Sequence, residues 1–325
     1  MSTWRAVPDG GFTGCVNGRV FPHGPFGSHT GNVVNGPRST VRERARALAQ
    51  CHAVADRGRE SRWEAMRERW RAVGRARHPG EIQRLASEFL AGREPLFADR
   101  AERGRVIADS RAGWVDGLDE AAGVAAGLEA EGRAEDGALL LDEYTEHTGD
   151  PAPDTLRHHF LAWHALAGGH AERALRHLRQ ATVRLILVGG LPGSGKSTLS
   201  CALGDHLHAP VLSLRDQEHA ERSYPELLRR AATRLGMGTS VVLDASWMAP
   251  DHRMAATDLA RDTHSKLVRL CCWAPKTMTA RRGGSGSEKC AQAESHVNPW
   301  PGAYTIITAG SPADSLTQAL DLVQL

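Results

Sequence analysis

One stretch, Val183-Arg-Leu-Ile-Leu-Val-Gly-Gly-Leu-Pro-Gly-Ser-Gly-Lys-Ser-Thr-Leu199, constrains this chain more than any other. Its apolar run Leu185-Ile-Leu-Val188 reads as a buried parallel strand. The residues that follow fit the phosphate-binding loop pattern at each fixed position, with Gly190, Gly195, Lys196 and Ser197 in register. Glycine is required there because the backbone must curl closely around phosphate oxygens and turn its N–H groups inward, and the start of the next helix adds a partial positive charge. Gly190, Leu191, Pro192, Gly193, Ser194, Gly195, Lys196, Ser197 and Thr198 are the candidate nucleotide-binding residues. Lys196 reaches the β- and γ-phosphates in this reading, and the Ser197 hydroxyl holds Mg²⁺. The strand before the loop and the helix former Ser197–Leu203 after it separate the pattern from a chance glycine-rich turn.

Downstream, strand-like and helix-like segments alternate. Pro210–Leu214, Gly238–Asp244, Lys266–Cys271 and Tyr304–Thr308 read as strands, and Glu226–Leu235, Arg253–Arg261 and Ser315–Val323 as helices. This alternation predicts an α/β fold, a doubly wound parallel sheet of the P-loop NTPase type, whose ligands gather at the carboxyl ends of the strands. Asp244 stands at such an end, either as an acid that holds Mg²⁺ directly or through water or as a helix cap or structural acid. Arg281 and Arg282 precede a glycine-rich segment and are either a phosphate-clamping lid or part of a basic surface loop.

A chain of 325 residues carries about two domains. The net charge of +2 gives no argument for nucleic acid or an anionic membrane surface. No apolar run approaches the length needed to span a bilayer, and no Cys-x-x-Cys pair occurs among the six cysteines. A cytoplasmic protein with reduced thiols is expected.

Upstream, residues 1–38 read as a loop-rich or disordered arm, dense in Gly, Pro and Asn, with His23 and His29 too irregularly spaced for a metal site. Residues 39–180 read as a mostly α-helical domain. Trp63, Met66 and Trp70 recur at helical spacing and suggest core packing rather than a base-stacking platform. The arginines between them alternate with Glu60, Glu64 and Glu68, which favours solvated ion pairs over a nucleic-acid face. His158, His159 and His164 are expected to be partly exposed packing residues. A boundary near residue 180 leaves 181–325 as the nucleotide-binding domain.

Leu187–Thr198, Leu227–Ala231, Ser240–Trp247 and Pro299-Trp-Pro301 give the second half a resemblance to the P-loop kinase domain, of AAA or zeta-toxin type, found in actinobacterial two-domain proteins. In those proteins the first half is an aminoglycoside-phosphotransferase-like fold. The first half here resembles it at Ala47–His52, Asp116–Asp119 and Tyr144–Phe160. The His-Gly-Asp catalytic loop of that fold and its later metal-binding Asp are absent, because the chain runs directly from Val106–Ser110 to Trp114–Gly117. The resemblance therefore implies a truncated phosphotransferase-like remnant without a kinase role of its own. In the second half it implies an acid after the second strand that accepts the acceptor's proton. Asp216 of Ser213-Leu-Arg-Asp216 is the candidate, displaced by one residue from the related pattern.

The sequence reading is thus an ATP-binding P-loop protein, with Mg²⁺, that transfers a phosphoryl group to an unidentified small-molecule hydroxyl acceptor. Lys196, Asp216, Arg281 and Arg282 are the candidate catalytic residues, and Ser197 and Asp244 hold the metal. The alternatives are a catalytically degenerate nucleotide-binding regulatory module and a nucleic-acid-processing ATPase, the latter needing a basic groove that the charge does not promise.

Overall fold

The computed structural model describes residues 12–16, 19–23, 38–76, 80–109, 113–214, 223–275, 277–279 and 300–324. Its compact units interleave along the chain. One comprises Met1–Met66, Phe97–Ala152 and Phe160–Ala174, and the other Arg67–Leu96, Pro153–His159 and Leu175–Leu325. Composition places one cut near residue 180, whereas compactness assigns parts of the helical stretch to each unit.

The larger unit is built on a five-stranded sheet. Its strands are β6 (Arg184–Gly190), β7 (Val211–Ser213), β8 (Val241–Asp244), β9 (Lys266–Trp273) and β10 (Tyr304–Ile307). They run in the order β10-β9-β6-β8-β7, and every neighbouring pair is parallel. Parallel neighbours need crossover connections, supplied here by α9 (Lys196–Leu207), α10 (Tyr224–Gly236) and α11 (Pro250–Asp262), with α12 (Pro312–Gln324) closing the chain. Strand side chains alternate between the two faces. Ile186, Val188, Val242, Val268, Leu270 and Ile306 face Leu199 and Leu203 of α9 and Ala319 and Val323 of α12. The intervening Leu185, Leu187 and Leu243 are also buried, as are Leu227, Ala231 and Leu235 of α10. The expected doubly wound sheet is present, with the glycine-loop strand at its centre.

This unit also contains α3 (Glu81–Ala91). Just beyond it the fully buried Arg93 donates to the carbonyl of Thr263 at 3.0 Å, so its cation meets the negative end of α11. Burial lowers the Arg93 pKa to about 10. His159 is wholly buried, accepts a hydrogen bond from the Trp70 indole at 3.0 Å and stacks on Phe89. The partial exposure expected for His159 is therefore corrected, because a neutral imidazole with a donor partner fits an apolar core.

The smaller unit packs α1 (Arg38–Val54), α5 (Gly117–Ala130) and α6 (Ala134–Thr148). It also holds a three-stranded antiparallel sheet of β3 (Arg57–Gly58), β4 (Val106–Asp109) and β5 (Gly113–Asp116), a minor strand component in a stretch expected to be mostly α-helical. Buried Arg100 forks to Asp116 at 2.5 and 2.7 Å and to Asp150 at 2.9 and 2.8 Å. Asp116 also caps α5 by accepting from Leu118 N. Tyr144 Oη lies 2.8 Å from His52 Nδ1, whose Nε2 lies 3.0 Å from Glu120. Burial first, and then the charges of Asp116 and Asp150, push the Tyr144 pKa above the ordinary phenol range. His52, Asp116, Tyr144 and Asp150, from the short segments that carry the first half's resemblance, thus take part in two polar clusters, one around Arg100 and one around His52.

In the first 38 residues, an irregular arm by composition, β1 (Phe12–Val16) pairs antiparallel with β2 (Arg19–His23). The residues between them in sequence are Asn17-Gly18, the dipeptide favoured in two-residue hairpin loops. Residues 1–11, 17–18 and 24–37 of this arm, with His29, lie outside the described residues. Among the described residues no helix is long and apolar enough to cross a membrane.

Candidate functional site

β6 delivers the glycine loop at its carboxyl end. Gly190, Gly193 and Gly195 have φ of 130°, 77° and 87°, values that an L side chain rarely adopts. A Cβ on Gly190 would stand 2.5 Å from the Cys272 carbonyl and 2.9 Å from Ser194 Oγ, so the strand beside the loop leaves no room for any other residue. Lys196 opens α9, and its ammonium donates to the Leu191 carbonyl at 2.9 Å across the loop. The loop is anchored from just past β10, where Thr308 donates to the Ser194 carbonyl at 2.6 Å. Ser197 is part-buried and Thr198 exposed on the first turn of α9.

Asp244 ends β8, the strand hydrogen-bonded directly to β6, and stands in register with Val188 and with Ser213 of β7. It is only 6% exposed, yet among the described residues its carboxylate has no hydrogen-bond or ion-pair partner. A buried carboxylate without a partner is costly and needs a cation or donors from elsewhere. It is not the cap of α11, which starts at Pro250. These donors fit a nucleotide with Mg²⁺: left-handed glycines turn amides into a concave anion nest, Lys196 supplies a movable cation, and Ser197 and Asp244 supply hard oxygen donors.

The loop after Asp244 is clamped by residues that the sequence reading did not single out. Trp247 is wholly buried at φ 53° and donates its backbone N–H to Tyr224 Oη at 3.1 Å. Arg253 donates to the carbonyls of Trp247 at 2.5 Å and Met248 at 2.8 Å, and its guanidinium lies over the Trp300 ring. A Cβ on Gly189 would collide with Trp300 and approach Trp247 to 3.1 Å, so glycine lets both indoles rest against β6. Trp247 and Trp300, one from each of two resemblance segments, therefore meet at one strand end. The signal available in sequence was an aromatic residue placed shortly after a strand.

Beside α9, a cavity of about 250 Å³ is lined by Gly195, Thr198, Thr308, Gly310, Pro312 and Ser315, among others. On β9, burial pushes the Cys272 thiol up to about 12, which keeps it protonated and inert at neutral pH. Asp216, Arg281 and Arg282 lie outside the described residues.

A family profile described as an AAA domain matches residues 185–285. Among solved structures, an APS kinase of Mycobacterium tuberculosis in complex with AMPPNP and APS is 20% identical, covering 44% of this chain and 99% of its own, at a TM-score of 0.36. A gluconokinase of Sinorhizobium meliloti 1021 is 18% identical, covering 43% of this chain and 91% of its own, at a TM-score of 0.35. The strand order and loop geometry above define the P-loop kinase-like fold of this unit independently of these likenesses.

Two curated relatives, the uncharacterized protein Rv2004c of Mycobacterium tuberculosis (strain H37Rv) and its counterpart Mb2027c of Mycobacterium bovis, are each 30% identical over 367 aligned positions. The alignment covers 85% of this chain and 74% of each relative. Since 367 positions exceed the 325 residues here, the relatives carry residues within the aligned span that this chain lacks. The chain belongs to the family of these mycobacterial proteins, and its residues 185–285 match the AAA-domain profile.

Proposed function

We propose that the P-loop unit binds Mg-ATP and transfers the γ-phosphoryl group to a hydroxyl of a small-molecule acceptor. One observation carries this reading: a left-handed glycine loop and a buried acid with no partner among the described residues, Asp244, stand at the carboxyl ends of two hydrogen-bonded parallel strands. The loop amides and Lys196 would hold the phosphates, Lys196 exchanging the Leu191 carbonyl for phosphate oxygen, and the cavity beside Thr198 and Gly310 would take the base. Mg²⁺ held by Ser197 and Asp244 would withdraw charge from the β- and γ-phosphate oxygens.

During transfer, the acceptor oxygen bonds to the γ-phosphorus while the bond to the β–γ bridging oxygen breaks, and ADP is released. The acceptor's proton passes to Asp216, and Arg281 with Arg282 meets the charge on the transferring group; these three roles rest on sequence position. Arg253 and Tyr224 act as positioning residues, fixing the loop that follows Asp244. We read the first half as a phosphotransferase-like remnant, supported by the antiparallel pairing of β4 with β5, which follow each other closely in sequence.

ADP release measured across a panel of hydroxyl-bearing acceptors, against the rate without acceptor, tests the reading. At least one acceptor should raise the rate, and Asp216→Asn should then lower turnover about a hundredfold with ATP affinity nearly unchanged. Equal release by the Asp216→Asn protein would remove Asp216 from the mechanism. Tight ATP binding with no acceptor response across the panel would favour the regulatory module.

A further inference from the structure

A larger cavity, of about 530 Å³, opens at the other end of the same sheet, where β6 and β9 begin. Its floor carries Arg184 and Lys266, which are register partners on neighbouring strands. Like charges placed directly opposite across a strand pair destabilise it. The other cations on the wall are matched: Arg84 with Glu88 at 2.9 Å, Arg179 with Glu81 at 3.2 Å, and Arg261 with Asp258 at 2.8 Å. The two on the floor are not. Among the described residues the Arg184 guanidinium donates to carbonyls, those of Val323, Thr182 and Arg179, and meets no acid, and the Lys266 ammonium has no hydrogen-bond or ion-pair partner. Burial lowers the pKa of Arg184, and burial followed by the neighbouring Arg184 charge lowers that of Lys266. Leu85, Phe89 and Ala260 give the same cavity an apolar side.

We propose that this cavity is a second ligand site, for a small molecule bearing a phosphate or carboxylate group on an apolar or aromatic body. The anion would bridge Lys266 and Arg184 and relieve their repulsion, and the body would lie against Phe89 and Leu85. β6 separates the site from the glycine loop by about 20 Å at the usual rise per strand residue. Occupancy of one site is therefore sterically independent of the other.

Calorimetric titration of the full chain with phenyl phosphate, benzoate and inorganic phosphate tests this proposal. Phenyl phosphate should bind the native protein and the Lys196→Ala variant with similar affinity, and more tightly than inorganic phosphate. Comparison with benzoate tells which anionic group is preferred. Lys266→Gln should weaken phenyl phosphate binding at least about tenfold, because one of two charge-assisted contacts is lost, while Lys266→Arg retains it. Lys266→Gln should also melt no lower than the native protein, since it removes a like-charge contact. Binding that is lost in Lys196→Ala and kept in Lys266→Gln would assign the anion to the glycine loop and overturn the proposal. Absence of binding by all three probes would overturn it equally.

Discussion

Replacing Asp244 by Asn separates a metal-holding acid from a structural one, because the two roles predict opposite signs. Asp244 is 6% exposed and its carboxylate has no hydrogen-bond or ion-pair partner among the described residues, so without ligand only the solvent that reaches it offsets the burial of its charge. An unsatisfied buried polar group costs about 1–3 kcal/mol, and a charged one more. Asn keeps the shape, removes the charge and still lacks partners, so the ligand-free protein should gain about 1 kcal/mol, or roughly 2–4 °C in Tm for a unit of this size. Mg-ATP affinity should fall in the same variant by about 10- to 100-fold, the range seen when a group supporting a bound metal is lost. ATP binding without Mg²⁺ should change little. Differential scanning calorimetry of the ligand-free protein and titration calorimetry with and without Mg²⁺ read both quantities. A variant that melts lower and binds Mg-ATP as the native protein does would make Asp244 a structural acid and refute the reasoning.

Gly190→Ala forces a side chain to φ 130° and to within 2.5 Å of the Cys272 carbonyl, so the loop must move. Nucleotide affinity should drop at least about a hundredfold, as misplacement by about an ångström can cause, with stability lowered by about 1–3 kcal/mol; fluorescent-nucleotide titration and thermal melting check this. Asp116→Ala removes two of the four hydrogen bonds made by the Arg100 fork and the cap of α5, leaving Asp150 to compensate. Urea denaturation should show a loss of about 3 kcal/mol, the lower end of the range for a broken buried ion pair, and a loss under about 1 kcal/mol would count against the network.

The P-loop unit was legible because each of its signals is local. The apolar run at Leu185–Val188 could pack only inside a sheet, the spacing from Gly190 to Ser197 is fixed by phosphate geometry, and Asp244 closes an apolar strand. Register and long-range partners were not legible. Nothing near Gly189 in sequence reports that two indoles will rest on it, or that Arg253 will reach back to the carbonyls of Trp247 and Met248. β4 and β5, each four residues long, are too short for a period to emerge and lie among helices. His159 illustrates the same limit: a histidine on an amphipathic helix reads as an edge residue until a tryptophan distant in sequence supplies its hydrogen bond. Like-charged Arg184 and Lys266 become neighbours only through the parallel pairing of β6 with β9.

Nucleotide binding through the glycine loop is the central claim, and calorimetric titration of Mg-ATP into the native and Lys196→Ala proteins tests it most directly. Lys196 is the one loop residue that brings a full charge to the phosphates, and its ammonium is already turned across the loop to Leu191. The native protein should bind one Mg-ATP per chain, and Lys196→Ala should bind at least about tenfold more weakly, as loss of a charge-assisted contact of about 1.5–3 kcal/mol requires. Equal affinity in the two proteins, or no saturable heat from the native one, would contradict the account.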